Sequence, residues 1–212
     1  MSHELLYFDG AGRAEAIRIL LHIGKVDFTD TRFKGEDWPT IKPTTPLGFV
    51  PVLKIDDVSH CQSMALLRYA GKLAGWYPTD PIESLIVDEV LDTLNELMSG
   101  VPRKATHANG DEGKYKELRQ EYQNTTLKHC LRFVENFIIT NAKKNPQSKG
   151  VYIVGNSPTI ADLALSMTHK SIAGGDWDHI SPTVFVDYPL IVQAVTAVNT
   201  DAGIKSYYDS KK

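Results

Sequence analysis

The hydrophobic period switches repeatedly over the first 75 or so residues and is helical after them, and that pattern limits what the chain can fold into. Up to about residue 75, short apolar runs alternate with helical stretches. Glu4-Leu5-Leu6-Tyr7-Phe8, stopped by Asp9-Gly10, reads as a strand and a turn. Over 13–24, Ile17, Leu20, Leu21 and Ile23 recur at helical spacing, and Gly24 offers a stop. Residues 26–33 read as a second strand and 50–55 as a third, entered through Pro51. Asp56-Asp57 is a turn and 58–61 a short fourth strand. Over 63–73, Ala65, Leu66, Tyr69 and Leu73 share one helical side. The order strand, helix, strand, short helix, strand, strand, helix makes a small α/β unit. A right-handed crossover should join its first two strands in parallel, and the pair around Asp56-Asp57 should be an antiparallel hairpin.

Beyond Gly75-Trp76-Tyr77-Pro78-Thr79-Asp80-Pro81 the strand signal nearly vanishes. Residues 82–98 carry Leu85, Val90, Leu91, Leu94 and Met98, and 114–140 carry Leu118, Tyr122, Leu127, Leu131, Val134, Phe137 and Ile138. Both predict long amphipathic helices. Residues 159–169 and 189–198 predict shorter ones, and 109–113 a loop between the two long helices. Thr159-x-x-Asp162 fits a helix capping box, with Asp in place of the usual Glu or Gln. The second half is therefore expected to be all-α.

Composition narrows the function. Apolar residues make up 42% of the 212, which is enough to bury a core and excludes a disordered chain. Lys plus Arg number 23 against 26 Asp plus Glu, so the basic excess of a general nucleic-acid binder is missing. Two cysteines, Cys61 and Cys130, cannot build a disulfide framework or a four-thiolate zinc site, and their scarcity fits a reducing compartment. No signal-peptide core opens the sequence, and no run approaches the roughly 18 apolar residues of a membrane span; Arg18 and His22 interrupt 17–23. A cytoplasmic protein is the expectation.

The residues that carry chemistry lie in the first half. Tyr7 ends the first strand beside a glycine-containing loop, where a packed strand aromatic would read the same. Pro51 suits a strand start or a cis turn, which would turn the Val50 backbone N–H and C=O outward toward an extended peptide. Gln62-Ser63 precedes the third helix. Ser63 can cap it, and the free N–H groups there suit a carboxylate.

Five phrases then stand in order: Tyr7-Phe8-x-x-x-Gly12-Arg13-Ala14-Glu15-x-Ile17-Arg18; Trp38 and Lys42; Pro46-Leu47-Gly48-Phe49-Val50-Pro51-Val52-Leu53; Gln62-Ser63-x-Ala65-x-x-Arg68-Tyr69; and Gly155-x-x-x-Thr159-x-x-Asp162. Together they resemble the cytosolic glutathione transferases, most closely the tyrosine-dependent, sigma-like class. The resemblance implies an α/β thioredoxin-like N-terminal domain (1–76) that binds glutathione, a linker (77–83), and an all-α C-terminal domain (84–212) with an electrophile site. It implies a cytoplasmic homodimer, glutathione as co-substrate and no metal. Tyr7 matches the catalytic tyrosine. Trp38 and Lys42 match the residues at the glycine end of glutathione, Val50 with Pro51 the clamp on the cysteinyl unit, and Gln62 and Ser63 the γ-glutamyl site. Arg13 matches a residue at the mouth of the site. Glu96, with Asp92 next, matches an acid reaching across from the partner subunit. Phe8, Gly12, Met98, Arg103 and Ile204 are placed near the electrophile; a turn glycine and a core methionine would account for Gly12 and Met98 equally.

Departures from the family pattern are visible too. Phe49 stands where many relatives have Gln or Lys, and Leu47 where some carry an interface aromatic. Asn95 and Arg103 stand where prostaglandin D synthases of this class carry an acid and an aromatic. Cys61 reads as a buried structural thiol. The absence of Cys-x-x-Cys excludes thioredoxin chemistry. Asp176-Trp177-Asp178-His179 reads as a solvated turn rather than a metal site. A prostaglandin isomerase, a non-catalytic ligand carrier and a lens-crystallin-like structural protein are the other readings.

Overall fold

The computed structural model describes residues 1–211. It divides into two compact units, one of Met1–Pro78 with the segment from Asp201 onward, the other of Thr79–Thr200.

The first unit starts with β1 (His3–Phe8), a 3-10 turn (Gly12–Ala14) and α1 (Glu15–Ile23). β2 (Thr29–Phe33), the one-turn α2 (Trp38–Ile41), β3 (Val52–Ile55), β4 (Val58–His60) and α3 (Ser63–Ala74) follow. The strand order is β2-β1-β3-β4. β1 runs parallel to β2, with Tyr7 opposite Arg32, and antiparallel to β3, with Leu5 opposite Leu53. β3 and β4 form the expected hairpin. β2 begins three residues later than the alternation suggests, because the Val26 amide bonds back to the Leu21 carbonyl at 2.9 Å and extends the turn that ends α1. β3 begins at Val52, after the proline that has no N–H for the ladder. Leu5, Ile17, Leu20, Leu21, Leu53 and Leu66 form the dry core where α1 and α3 meet the sheet.

The second unit is helical. It comprises α4 (Pro81–Gly100), the short α5 (Lys104–His107), α6 (Glu112–Tyr122), α7 (Lys128–Lys144), α8 (Ile160–Ala173) and α9 (Pro189–Asn199). α4 starts within the expected linker because the Asp80 carboxylate accepts from the Ile82 and Glu83 amides and Pro81 takes the first helical position. The helix expected over 114–140 is present as one continuous helical run over 112–144, but it is not α-helical throughout. A π-helical turn at Gln123–Leu127 separates α6 from α7. Asn124, Thr125 and Thr126 are weak helix formers, and the Thr125 hydroxyl donates to the Glu121 carbonyl at 2.7 Å. The capping box at α8 forms as read from the sequence. Asp162 Oδ2 accepts from the Thr159 amide and hydroxyl at 2.8 and 2.7 Å, and its Oδ1 from the Ile153 amide at 2.8 Å. Full burial pushes the Asp162 carboxyl up to about 6 against the pull of those bonds.

The chain ends in α10 (Ala202–Asp209), a helix the hydrophobic pattern did not reveal. Asp201 caps it, accepting from the Gly203 and Ile204 amides. It packs on α1 and groups by its contacts with the compact α/β unit.

Candidate functional site

The site begins where β1 stops. Asp9 through Ala11 lead from the strand into the 3-10 turn, in which Gly12 takes a φ of +42°. A Cβ at Gly12 would lie 2.4 Å from the Tyr7 hydroxyl oxygen, so only glycine lets the turn approach the phenol this closely. The next amide, that of Arg13, donates to the same oxygen at 3.1 Å. One lone pair of the phenol is thereby engaged, and its own proton is available to a further acceptor. The Arg13 guanidinium reaches the other way and donates to Ser63 Oγ at 3.3 Å.

Beside this turn lies a cleft of about 330 Å³ lined by Arg13, Leu47, Phe49, Val50, Pro51, Cys61, Gln62 and Ser63. Five of the residues read from the sequence therefore line one cavity, although Arg13 and Ser63 are fifty positions apart. The Val50–Pro51 peptide bond is cis. Gln62 stands just before α3 with φ +76°, a region that costs a non-glycine residue of order 1–3 kcal/mol. Such strain persists where the surroundings enforce it, and here it sits on the cavity wall. Ser63 is already helical and does not cap α3. Its hydroxyl accepts from Arg13 instead, and the helix N-terminus faces the cleft without a side-chain cap. An unsatisfied helix N-terminus beside a guanidinium suits a carboxylate.

Trp38 and Lys42 lie outside that lining. The Trp38 ring stacks on Phe33 with centroids 5.9 Å apart, and Phe8 fills the corner, 5.4 Å from Trp38 and 4.5 Å from Phe33. Phe8 is thus part of an aromatic cluster that also meets the edge of Tyr7 at 5.6 Å. Lys42 is exposed after α2, and its stem passes Gly48, where a Cβ would come within 3.3 Å of Lys42 Cε.

The remaining residues are not part of that lining. Ile204 on α10 is 2% exposed and offers little surface to a ligand. In the helical unit, Met98 is half-buried on α4, and Arg103 is exposed at the start of α5. Glu96 is exposed on α4, and its charge adds to burial in pushing the Cys130 thiol up.

One expectation needs correction. Cys61 is half-buried and lines the cleft, so it is not a sealed core thiol; its place next to Gln62 was the available signal. The segment 176–179 is a turn with Asp176 and Asp178 exposed, as expected, and it is pinned in place. The Asp178 carbonyl accepts from Arg119 Nε at 2.7 Å, His179 meets Glu112 at 2.7 Å, and the Trp177 indole donates to Ser171. Among the described residues, no three His, Cys, Asp or Glu side chains are placed to hold a metal ion, and no helix is long and apolar enough to cross a membrane.

Sequence reasoning assigned no role to Arg18, Glu15 or Asp30. Arg18 is fully buried and pairs with Asp30 at 2.9 Å and Glu15 at 3.3 Å. Burial pushes the Asp30 carboxyl up, but the hydrogen bonds and charges of Arg18 and Arg32 outweigh it and hold it below the usual carboxylate range. An arginine interrupting an apolar helix face was the signal.

Known proteins match both halves. The family model described as glutathione S-transferase, N-terminal domain matches residues 3–72, and that for the C-terminal domain matches 102–211. Glutathione S-transferase 1 of Ascaris suum is 32% identical over 181 residues, covering 85% of this chain and 82% of its own. The hematopoietic prostaglandin D synthase of Rattus norvegicus is 36% identical over 188 residues, covering 89% and 82%. Among solved structures, a prostaglandin synthase D of Nilaparvata lugens superposes with a TM-score of 0.82 at 28% identity, covering 100% of this chain and 99% of that one.

Proposed function

Because this chain belongs to the glutathione S-transferase family, we propose that its Tyr7 hydroxyl donates to the sulfur of bound glutathione and keeps it a thiolate for attack on hydrophobic electrophiles. The observation that carries this reading is the Arg13 amide on the Tyr7 oxygen, 3.1 Å away. It holds the phenol with its proton turned to a second acceptor, beside a cleft whose polar wall suits a γ-glutamyl carboxylate. A free thiol ionises near 8.5, so little thiolate is present at neutral pH. Lowering that midpoint by two units takes about 2.7 kcal/mol, within reach of a charge-assisted hydrogen bond aided by a nearby helix N-terminus.

In this reading Gln62, Ser63 and Arg13 bind the γ-glutamyl end, the Val50 backbone before Pro51 the cysteinyl unit, and Trp38 and Lys42 the glycine end. Residues 1–76 carry the glutathione site. Phe8, Gly12, Met98 and Arg103 contribute to the electrophile site, with the helical residues from 84 onward. Glu96 serves the partner subunit's glutathione in a cytoplasmic homodimer that acts in detoxification. A dimer at micromolar concentration in sedimentation supports the Glu96 role, and a monomer removes it.

The direct test is ultraviolet titration of the thiol in the binary complex. The expected midpoint lies well below that of free glutathione, and Tyr7→Phe returns it toward the free value with a large loss of turnover on an aryl halide. A parent complex that titrates like free glutathione ends this reading. The 36% identity to a prostaglandin D synthase favours one second reading, isomerisation of prostaglandin H, against which Asn95 and Arg103 count. Turnover of prostaglandin H outpacing that of aryl halides and alkenals would select it.

A further inference from the structure

Arg18 sits on α1 with no solvent exposure, and its guanidinium donates to two backbone carbonyls of the segment that leads into the Gly12–Ala14 turn. Burying a guanidinium costs several kcal/mol, and well-packed apolar residues often replace buried ion pairs without loss. Here the charge is answered by Glu15 and Asp30, yet Nη2 remains buried without a hydrogen-bond partner. That is an expensive arrangement for a core position.

The remaining bonds show what it is suited to. Arg18 Nη1 donates to the Gly10 carbonyl at 2.8 Å and to that of Ala11 at 3.4 Å. These carbonyls belong to the segment between the end of β1 and the 3-10 turn that carries the Arg13 amide. The guanidinium carbon lies 5.8 Å from the centroid of the Tyr7 ring. One side chain thus grips the backbone just ahead of the Arg13 turn and lies beside the Tyr7 ring. It is steadied by Asp30, which also binds Arg32 at 2.8 Å, and by Glu15, whose other oxygen accepts from Tyr207 on α10 at 3.1 Å. Lys211 also bonds to the Tyr207 hydroxyl.

We propose that Arg18 is a positioning residue for thiol activation: by gripping the Gly10 and Ala11 carbonyls it fixes the turn whose Arg13 amide orients the Tyr7 hydroxyl. The proposal rests on the role assigned to Tyr7 above. A lysine would keep the charge but not the fork, because its ammonium is a point donor on a flexible stem.

The test is Arg18→Lys, with the parent and Tyr7→Phe measured alongside. A loosened turn raises the thiol midpoint of the binary complex by about one unit. It lowers kcat/KM about tenfold at pH 6.5 but less than about threefold near pH 9, where the thiol ionises unaided. Glutathione affinity stays within about twofold. A purely structural role would depress turnover alike at both pH values. A folded Arg18→Lys protein whose midpoint and pH profile superimpose on the parent overturns the proposal. If Arg18→Lys does not fold, Asp30→Ala removes the Nε anchor from a less buried position. The same shift at about half the size supports the proposal, and an unshifted profile overturns it. Lost activation in Tyr7→Phe beside an unshifted Arg18→Lys removes the Arg18 role alone. An unaltered midpoint in Tyr7→Phe removes both.

Discussion

The Arg13 amide and the Tyr7 hydroxyl are joined by a 3.1 Å hydrogen bond in which the main chain is the donor. The phenol is therefore oriented by the path of the backbone through Gly12, and changes to that path should reach the chemistry.

Gly12→Ala is the sharpest case. Its Cβ would lie 2.4 Å from the Tyr7 oxygen and 2.8 Å from a ring carbon, at a φ of +42° that costs alanine about 1–2 kcal/mol. We expect kcat/KM with an aryl halide to fall at least about tenfold while the protein still folds. Steady-state kinetics beside a thermal melt checks this; parent kinetics would mean that the turn is free to move.

Gln62 separates binding from strain. Gln62→Gly removes the side chain and accommodates φ +76° without penalty, so the relief offsets the greater entropy of the unfolded glycine chain. Its melting temperature should stay within a few degrees of the parent. Glutathione affinity should drop at least about tenfold, the worth of one hydrogen bond to a charged group at the low end of its range. Equal affinity by calorimetry would remove Gln62 from the γ-glutamyl site.

Asp162→Ala tests the capping box far from the cleft. Three donors, the Ile153 amide and the Thr159 amide and hydroxyl, lose a buried acceptor. At about 1–3 kcal/mol each for the buried ones, the loss should reach roughly 3 kcal/mol or more. Urea denaturation measures it, and a loss under about 1 kcal/mol would contradict the assigned bonds.

The Arg18–Asp30 pair has a pH signature. The Asp30 carboxyl is held below its ordinary value by Arg18 and Arg32. The stability it contributes is therefore present above the unfolded value near 3.9 and is lost as the pH falls through the lower folded value. The gap between parent and Asp30→Asn should be widest at neutral pH and close below about pH 4. Denaturation at pH 7 and pH 3.5 checks it, and a gap that widens in acid would reverse the sign.

Much of the site was legible before folding. Tyr7 lies one residue from the end of β1, Val50-Pro51 just before β3 and Gln62-Ser63 at the start of α3, and such positions can be read from local pattern and turn residues. Cys61 was misjudged because exposure depends on what packs opposite, which no local pattern records. Ser63 was misread as a cap because Gln62 takes the non-helical backbone one residue earlier. The π turn after Tyr122 escaped because its apolar positions continue the helical period on both sides.

The amino-acid order alone determined the alternation of strands and helices in the first seventy-odd residues, the all-helical stretch that follows, and the Thr159–Asp162 cap. These follow from periods of two and 3.6 residues and from capping chemistry within one turn. Only the folded chain brought Arg13 to Ser63, buried Arg18 between Glu15 and Asp30, and tied Tyr207 to Glu15 across 192 positions. Those contacts come from the packing of α1, α3 and α10 with the sheet, and packing partners distant in sequence leave no periodic trace in either segment.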